Sequence, residues 1–133
     1  MLFRSIRYIS TKELAENLTK SDVEKPCLID ARTLEEYEVS HLLDARLAPS
    51  DIHELSCWMN NLTNSAFIVT YCSVGYRSAV LAQQLQTIGY TEVYNLDGSI
   101  FEWVNEGKPV YNGKKVVNQV HPFNQIWRFL LNY

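Results

Sequence analysis

Apolar and polar positions along the chain follow two rhythms. Four short runs, "PCLID" (26–30), "ARLAP" (45–49), "AFIVTY" (66–71) and "EVYNL" (92–96), read as strands; "AFIVTY" is the strongest and "ARLAP" the weakest. Between them the apolar residues fall at helical spacing. "ISTKELAENLTK" opens with a capping box of Ser10 and Glu13, flanked by a staple of Ile9 and Leu14, and predicts a helix over 11–19. "TLEEYE" (33–38) repeats the box with Thr33 and Glu36 and predicts a short helix. In "DIHELSCWMNNL" (51–62), Ile52, Leu55, Met59 and Leu62 share one stripe behind Asp51. Leu81, Leu85 and Ile88 stripe a helix that begins near Arg77 or Ser78 and stops at Gly89. "DGSIFEWVNEG" reads as a turn and a short helix. Pro122 can open a last amphipathic helix, striped by Phe123, Ile126, Trp127 and Leu130, in an extension over 112–133. Short apolar strands alternating with helices place the chain in the α/β class, with a parallel sheet covered by helices on both faces. No repeat or linker divides it, so a single domain over 1–133 is expected.

Composition narrows the function. The 133 residues are 47% hydrophobic and 20% charged, an ordinary globular balance. Twelve basic against fifteen acidic side chains leave a net charge of −3 without a basic run, which argues against nucleic acid or an anionic membrane as partner. No apolar stretch is long enough to span a bilayer, and "MLFRSIRYIS" reads as mature protein rather than a signal peptide. The three cysteines, Cys27, Cys57 and Cys72, form no disulfide framework and point to a reducing compartment, with the cytoplasm as the default.

The stretch "YCSVGYRSAVLAQQL" (71–85) carries the chemistry. Cys72 follows the best strand and precedes its helix, and ligands of parallel α/β sheets gather beyond the carboxyl ends of the strands. A helix starting after the loop leaves backbone N–H groups unpaired and turns the positive end of its dipole towards the loop. Gly75 can adopt angles closed to other residues, so the loop amides can form an anion-binding nest. The field of such a nest favours the thiolate, which is the nucleophilic form of cysteine. Arg77 adds a fixed positive charge able to clamp an oxyanion. The competing reading is a buried packing cysteine beside a surface ion pair.

The ordered motifs decide between these readings. "CLIDARTLEEYEVSHLLDARLAP" and "FIVTYCSVGYRSAVLAQQLQTIGYTEVYNLDGSIFEWVNEGKPV" together resemble a single-domain rhodanese, over about residues 5–111. The resemblance rests on Asp-x-Arg at a strand end, Cys-x-x-Gly-x-Arg-Ser, the helix ending in Gly-Tyr, and the Leu-x-Gly turn with Trp103 after it. It implies a central parallel five-stranded sheet in which Cys72 takes a sulfane sulfur from thiosulfate or a persulfide donor. The persulfide then yields its sulfur to cyanide or a thiol, including a protein thiol, with no cofactor. The amides of Ser73, Val74, Gly75, Tyr76, Arg77 and Ser78 would cradle the adduct. Related phosphatases and arsenate reductases have a loop one residue longer, so the six residues from Cys72 to Arg77 favour sulfur. Ser40, Leu43 and Asp44 stand where the family prefers Gly, Pro and Gly, and Ser99 replaces a usual second glycine. These departures are expected to affect turn geometry and not the nucleophile. Ser73, Val74 and Tyr76 are uncharged, whereas thiosulfate-favouring members often carry a basic residue in the loop.

Asp30 and Arg32 match the family's Asp-x-Arg and read as structural support near the loop, with a catalytic role as the alternative. His41 matches the turn histidine and reads as a hydrogen-bonded structural residue before a general base. His53 and His121 lack companions at ligand spacing, so no metal site is expected. Cys27 reads as core. Cys57, opposite its helix's apolar stripe, reads as a surface cysteine or a resolving thiol. Besides the transferase, a non-catalytic binding or sulfide-sensing module of the same fold remains open. The oligomeric state is not legible.

Overall fold

The computed structural model describes residues 6–20 and 24–117. In chain order its elements are β1 (Arg7–Ile9), α1 (Thr11–Thr19), β2 (Cys27–Asp30), α2 (Leu34–Val39), β3 (Arg46–Leu47), α3 (Ile52–Trp58), β4 (Ile68–Tyr71), α4 (Tyr76–Thr87), β5 (Val93–Leu96), α5 (Ser99–Asn105), β6 (Val110–Asn112) and β7 (Lys115–Val117). The first five strands form one sheet in the order β1-β5-β4-β2-β3, and every pairing is parallel. The helix expected from Pro122 lies outside the described residues.

Strand periodicity divides the core between the two faces of the sheet. Leu28, Val69, Tyr71 and Leu96 point to one side, where they meet Leu14 of α1 and Ile100 and Trp103 of α5. Ile29, Ile68 and Val93 point to the other, against Leu55 and Met59 of α3 and Leu81 and Leu85 of α4. Both faces are therefore covered, and the central strands are mostly apolar, with Asp30, Thr70 and Asn95 as their buried polar residues. All four residues of β4 are buried.

Local signals set most of the boundaries. Both predicted capping boxes form: Ser10 Oγ accepts the Glu13 N–H at 3.0 Å, and Thr33 Oγ1 accepts that of Glu36 at 3.2 Å. The staple residues Ile9 and Leu14 join one cluster. The α4 helix ends in a paired set of backbone bonds, Tyr90 N–H to Leu85 O and Gly89 N–H to Gln86 O, both 3.1 Å, with Gly89 at φ +114°. Here the predicted stripe fails by one residue. Ile88 lies at the surface, and Tyr90, swung back by the glycine, is buried in its place.

Three differences from the expected pattern have physical causes. β1 reads poorly as a strand because it is three residues long on a sheet edge, with Arg7 and Tyr8 exposed and only Ile9 buried. The α3 helix stops at Trp58, four residues early, where the poor helix formers Asn60 and Asn61 tighten the chain into a turn. Leu62 still reaches the core from that turn. The β6–β7 hairpin was not predicted; its strands are three residues each and largely exposed.

The family's glycine positions show what the departures do. Asp44 and Ser99 are the non-glycine residues with positive φ among those described, at +61° and +54°. Ser40, by contrast, sits at φ −169°, extended backbone open to any residue. Gly98 caps α5 at φ +75°, and a Cβ built there would lie 2.4 Å from Glu102 Cβ. Gly98→Ala is expected to cost about 2–3 kcal/mol, combining left-handed strain with that clash. A urea titration of both proteins measures it.

Candidate active site

Cys72 leaves the carboxyl end of β4, and the chain turns through Ser73, Val74 and Gly75 into α4. Gly75 caps that helix at φ +113°, ψ −8°, a conformation that costs glycine little and other residues much. The turn aims backbone amides inward. Sγ of Cys72 accepts the N–H of Gly75 at 3.0 Å and that of Ser78 at 3.4 Å, with Ser78 Oγ 3.3 Å away. The thiol is 1% exposed and sits at the positive end of a twelve-residue helix. Of the loop amides expected to form a nest, those of Gly75 and Ser78 reach the sulfur.

A second layer fixes the first. Ser78 Oγ lies 2.6 Å from Asn95 Oδ1, and its single proton goes to that shortest contact. Asn95 Nδ2 in turn donates to the Gly75 carbonyl at 3.0 Å. From the other side, the Cys72 N–H donates to Ser99 Oγ at 3.1 Å. Amides of the first turn of α5, which have no partner within their own helix, close the loop: Ile100 N–H reaches the Cys72 carbonyl at 3.0 Å and Phe101 N–H the Ser73 carbonyl at 3.1 Å. The sequence carries no sign of Asn95. It shows Ser99 only as a departure expected to affect turn geometry and not the nucleophile, yet the hydroxyl holds the nucleophile's own amide. The signal was the missing glycine itself, since a serine in a left-handed position usually has a hydrogen bond to justify it.

Arg77 reaches across to α2. Its guanidinium forks onto Glu36, Nη1 to Oε1 at 3.0 Å and Nη2 to Oε2 at 3.2 Å, and Nη2 also reaches Ser73 Oγ at 3.1 Å. Ser73 Oγ donates to Glu36 Oε2 at 3.1 Å, so α2 and the loop are laced together. Burial resists ionisation of Glu36, but the hydrogen bonds from Arg77 and Thr33, with Arg77's charge, prevail and bring its pKa to about 2. The same bond raises that of Arg77. Glu36 was read from the sequence only as a capping residue; it serves both tasks with one carboxylate.

That carboxylate makes stability depend on acidity. Its folded pKa of about 2 lies below the ordinary 4.5, so the folded state binds fewer protons than the unfolded chain. The contribution is complete above about pH 4.5 and lost as pH falls towards 2. Allowing for solvent around the one-third-exposed Arg77, the loss is on the order of 2 kcal/mol. Glu36→Gln is expected to flatten this part of the stability curve, measured by urea titrations between pH 5 and about 2.5.

Asp30 and Arg32 form a fully buried pair. Nε and Nη2 of Arg32 contact the carboxylate at 3.0 and 2.7 Å, and Nη2 also donates to the Ser40 carbonyl at 2.6 Å. These bonds tie the end of β2 to the end of α2 and leave Cys72 alone. His41 is also distant in its contacts: Nδ1–H donates to the Leu42 carbonyl at 2.7 Å, leaving Nε2 to accept the Gly113 N–H at 3.3 Å. Its ring stacks on Tyr37, with centroids 4.3 Å apart. His41 thus fastens the β6–β7 hairpin to the turn after α2. Val74 and Tyr76 are 45% and 67% exposed, at the mouth of the loop. Cys27 is half-buried, and burial raises its pKa despite Arg46; Cys57 is exposed. Among the described residues, no group of three or more His, Cys, Asp and Glu side chains is placed to hold a metal, and no helix is long and apolar enough to cross a membrane.

This geometry has counterparts. Residues 10–106 match the rhodanese-like domain. A Bacillus subtilis protein, the uncharacterized YqhL, is 35% identical over 92 residues, covering 69% of this chain and 71% of its own. A protein of Allochromatium vinosum named sulfurtransferase is 30% identical over 105 residues, covering 79% of this chain and 94% of its own. The crystal structure of the BH2092 protein from Bacillus halodurans superposes with a TM-score of 0.74 at 22% identity, over 96% of this chain and 91% of that one. The sheet order, the sulfur nest and the match over most of the chain have one reading: the chain belongs to the rhodanese-like domain family.

Proposed function

We propose that this protein is a sulfurtransferase that carries a sulfane sulfur on Cys72. The observation that carries the reading is Sγ seated on the Gly75 and Ser78 N–H groups at the start of α4. Donors fixed before the reaction stabilise a sulfur anion without reorganising, which is where most electrostatic catalysis originates. In the first half-reaction the thiolate attacks the donor's sulfane sulfur; the Sγ–S bond forms as the donor's bond to that sulfur breaks, and its electron pair leaves with the remainder of the donor. The new terminal sulfur is again an anion, and the loop amides are the groups available to hold it. In the second, a thiol or cyanide attacks that sulfur, and the pair of the S–S bond returns to Sγ. No metal or organic cofactor enters either step. The name of the Allochromatium vinosum relative points the same way. Because the reaction needs a free Cys72, we place the protein where thiols stay reduced.

Intact mass after brief exposure to thiosulfate or to a low-molecular-weight persulfide tests this. The expected result is a gain of one sulfur on Cys72, lost on adding cyanide. A folded protein that gains none from either donor overturns the proposal and leaves a binding module as the better account.

A further inference from the structure

The proposed reaction leaves the donor class open, and the charges around Cys72 bear on it. Thiosulfate brings two negative charges to the sulfur, so a site suited to it needs positive charge to spare. The loop's guanidinium, Arg77, is already forked onto the carboxylate of Glu36, which itself is nearly buried. That pair contributes no net charge to the mouth. Around it, the loops and first helical turns that follow β2, β3, β4 and β5 expose Glu35, Asp51, Glu54, Asp97 and Glu102. In the same segments the described residues expose no lysine, and their arginines are the buried Arg32 and the paired Arg77. The rim is therefore acidic, and its field opposes a small dianion. The rim also exposes apolar side chains: Val74 and Tyr76 flank Gly75, and Leu34, 57% exposed, stands two residues before Glu36. An inorganic ion has no use for such contacts, whereas an organic group attached to the sulfur does.

Resting on the sulfurtransferase reading, we propose that the donor is the persulfide of an organic thiol, R–S–SH, in preference to the thiosulfate dianion. The Cys72 thiolate attacks the terminal sulfur of R–S–SH; the Sγ–S bond forms, the donor S–S bond breaks, and its electron pair leaves on RS⁻. The proton of the terminal sulfur passes to RS⁻, giving R–SH and the Cys72 persulfide anion. The single negative charge is that of Cys72 before and after the step, and no oxidant or reductant is required. The R group lies against Val74, Tyr76 and Leu34.

The test compares kcat/KM for loading from cysteine persulfide, from a peptide persulfide with leucines beside its cysteine, and from thiosulfate, with cyanide as the common acceptor. Persulfide is expected to exceed thiosulfate by about 100-fold or more. Added salt should speed the thiosulfate reaction by screening the rim and leave the persulfide reaction nearly level. Val74→Arg, at an exposed position, should lower the persulfide-to-thiosulfate ratio about tenfold, and Tyr76→Lys should do the same if the first variant folds poorly. Faster loading by the peptide than by cysteine persulfide identifies a protein source; equal loading identifies a small one. Thiosulfate matching or beating persulfide, or a ratio that ignores added positive charge, overturns the donor assignment alone. No loading from any donor overturns the sulfurtransferase reading and the assignment with it.

Discussion

Cys72→Ser is expected to end sulfur transfer while leaving the fold in place. Serine keeps the Cβ and offers an oxygen to the same amides, so the bonds from Gly75 and Ser78 that now reach Sγ retain an acceptor. What disappears is the nucleophile: a hydroxyl is scarcely ionised near neutral pH and has no base beside it here comparable to a thiolate's own charge. Loss of a covalent nucleophile commonly costs ~10⁴-fold or more, so turnover should drop to background. The check is cyanide-dependent thiocyanate formation alongside intact mass, with urea titration to show unchanged stability. Residual sulfur loading of the variant would place the acceptor elsewhere, at Cys27 or Cys57.

The second large effect concerns stability. Asp30→Ala is expected to cost about 3–5 kcal/mol, because it leaves the guanidinium of Arg32 buried without its counter-ion. The site has no reserve. Arg32 Nη1 and Ser40 Oγ already lie buried without a hydrogen-bond partner among the described residues. Burial works against the charge on Arg32, and the bond to Asp30 is what offsets it. Pairing Asp30→Ala with Arg32→Met should recover much of the loss, since two uncharged side chains cost far less than one orphaned cation. Chemical denaturation of the wild type, the single and the double variant measures both steps. A single variant within about 1 kcal/mol of wild type would show that water reaches Arg32.

The two predictions differ in how far the sequence announces them. Cys72, Gly75 and the start of α4 were legible because each is a local signal: a strand end, a residue with special backbone freedom, a helix stripe. The central strands β2, β4 and β5 were legible because burial on both faces leaves each a short, mostly apolar run. Edge strand β1 gave no such run, since its neighbour β5 lies more than eighty residues later and supplies the pairing. The same distance problem hid the site's supports. Glu36 meets Arg77 across 41 positions and Asn95 meets Ser78 across 17, and no window along the chain contains both partners. Arg77 was read as a clamp on substrate because its counter-ion was out of view. Ser99 was visible as a departure from glycine, but its bond to Cys72 belongs to the fold.

The separation of Cys72 from its supports has a consequence for the chain while it is being made. The hydroxyl that holds the Cys72 amide lies 27 residues downstream, and the α5 amides follow it. At ~5–20 residues per second, the ribosome delivers those groups roughly one to five seconds after the cysteine. For that interval the thiol has left the peptidyl-transferase centre without the elements that will bury it. The pocket around Cys72 can close only after β5 and α5 have been made.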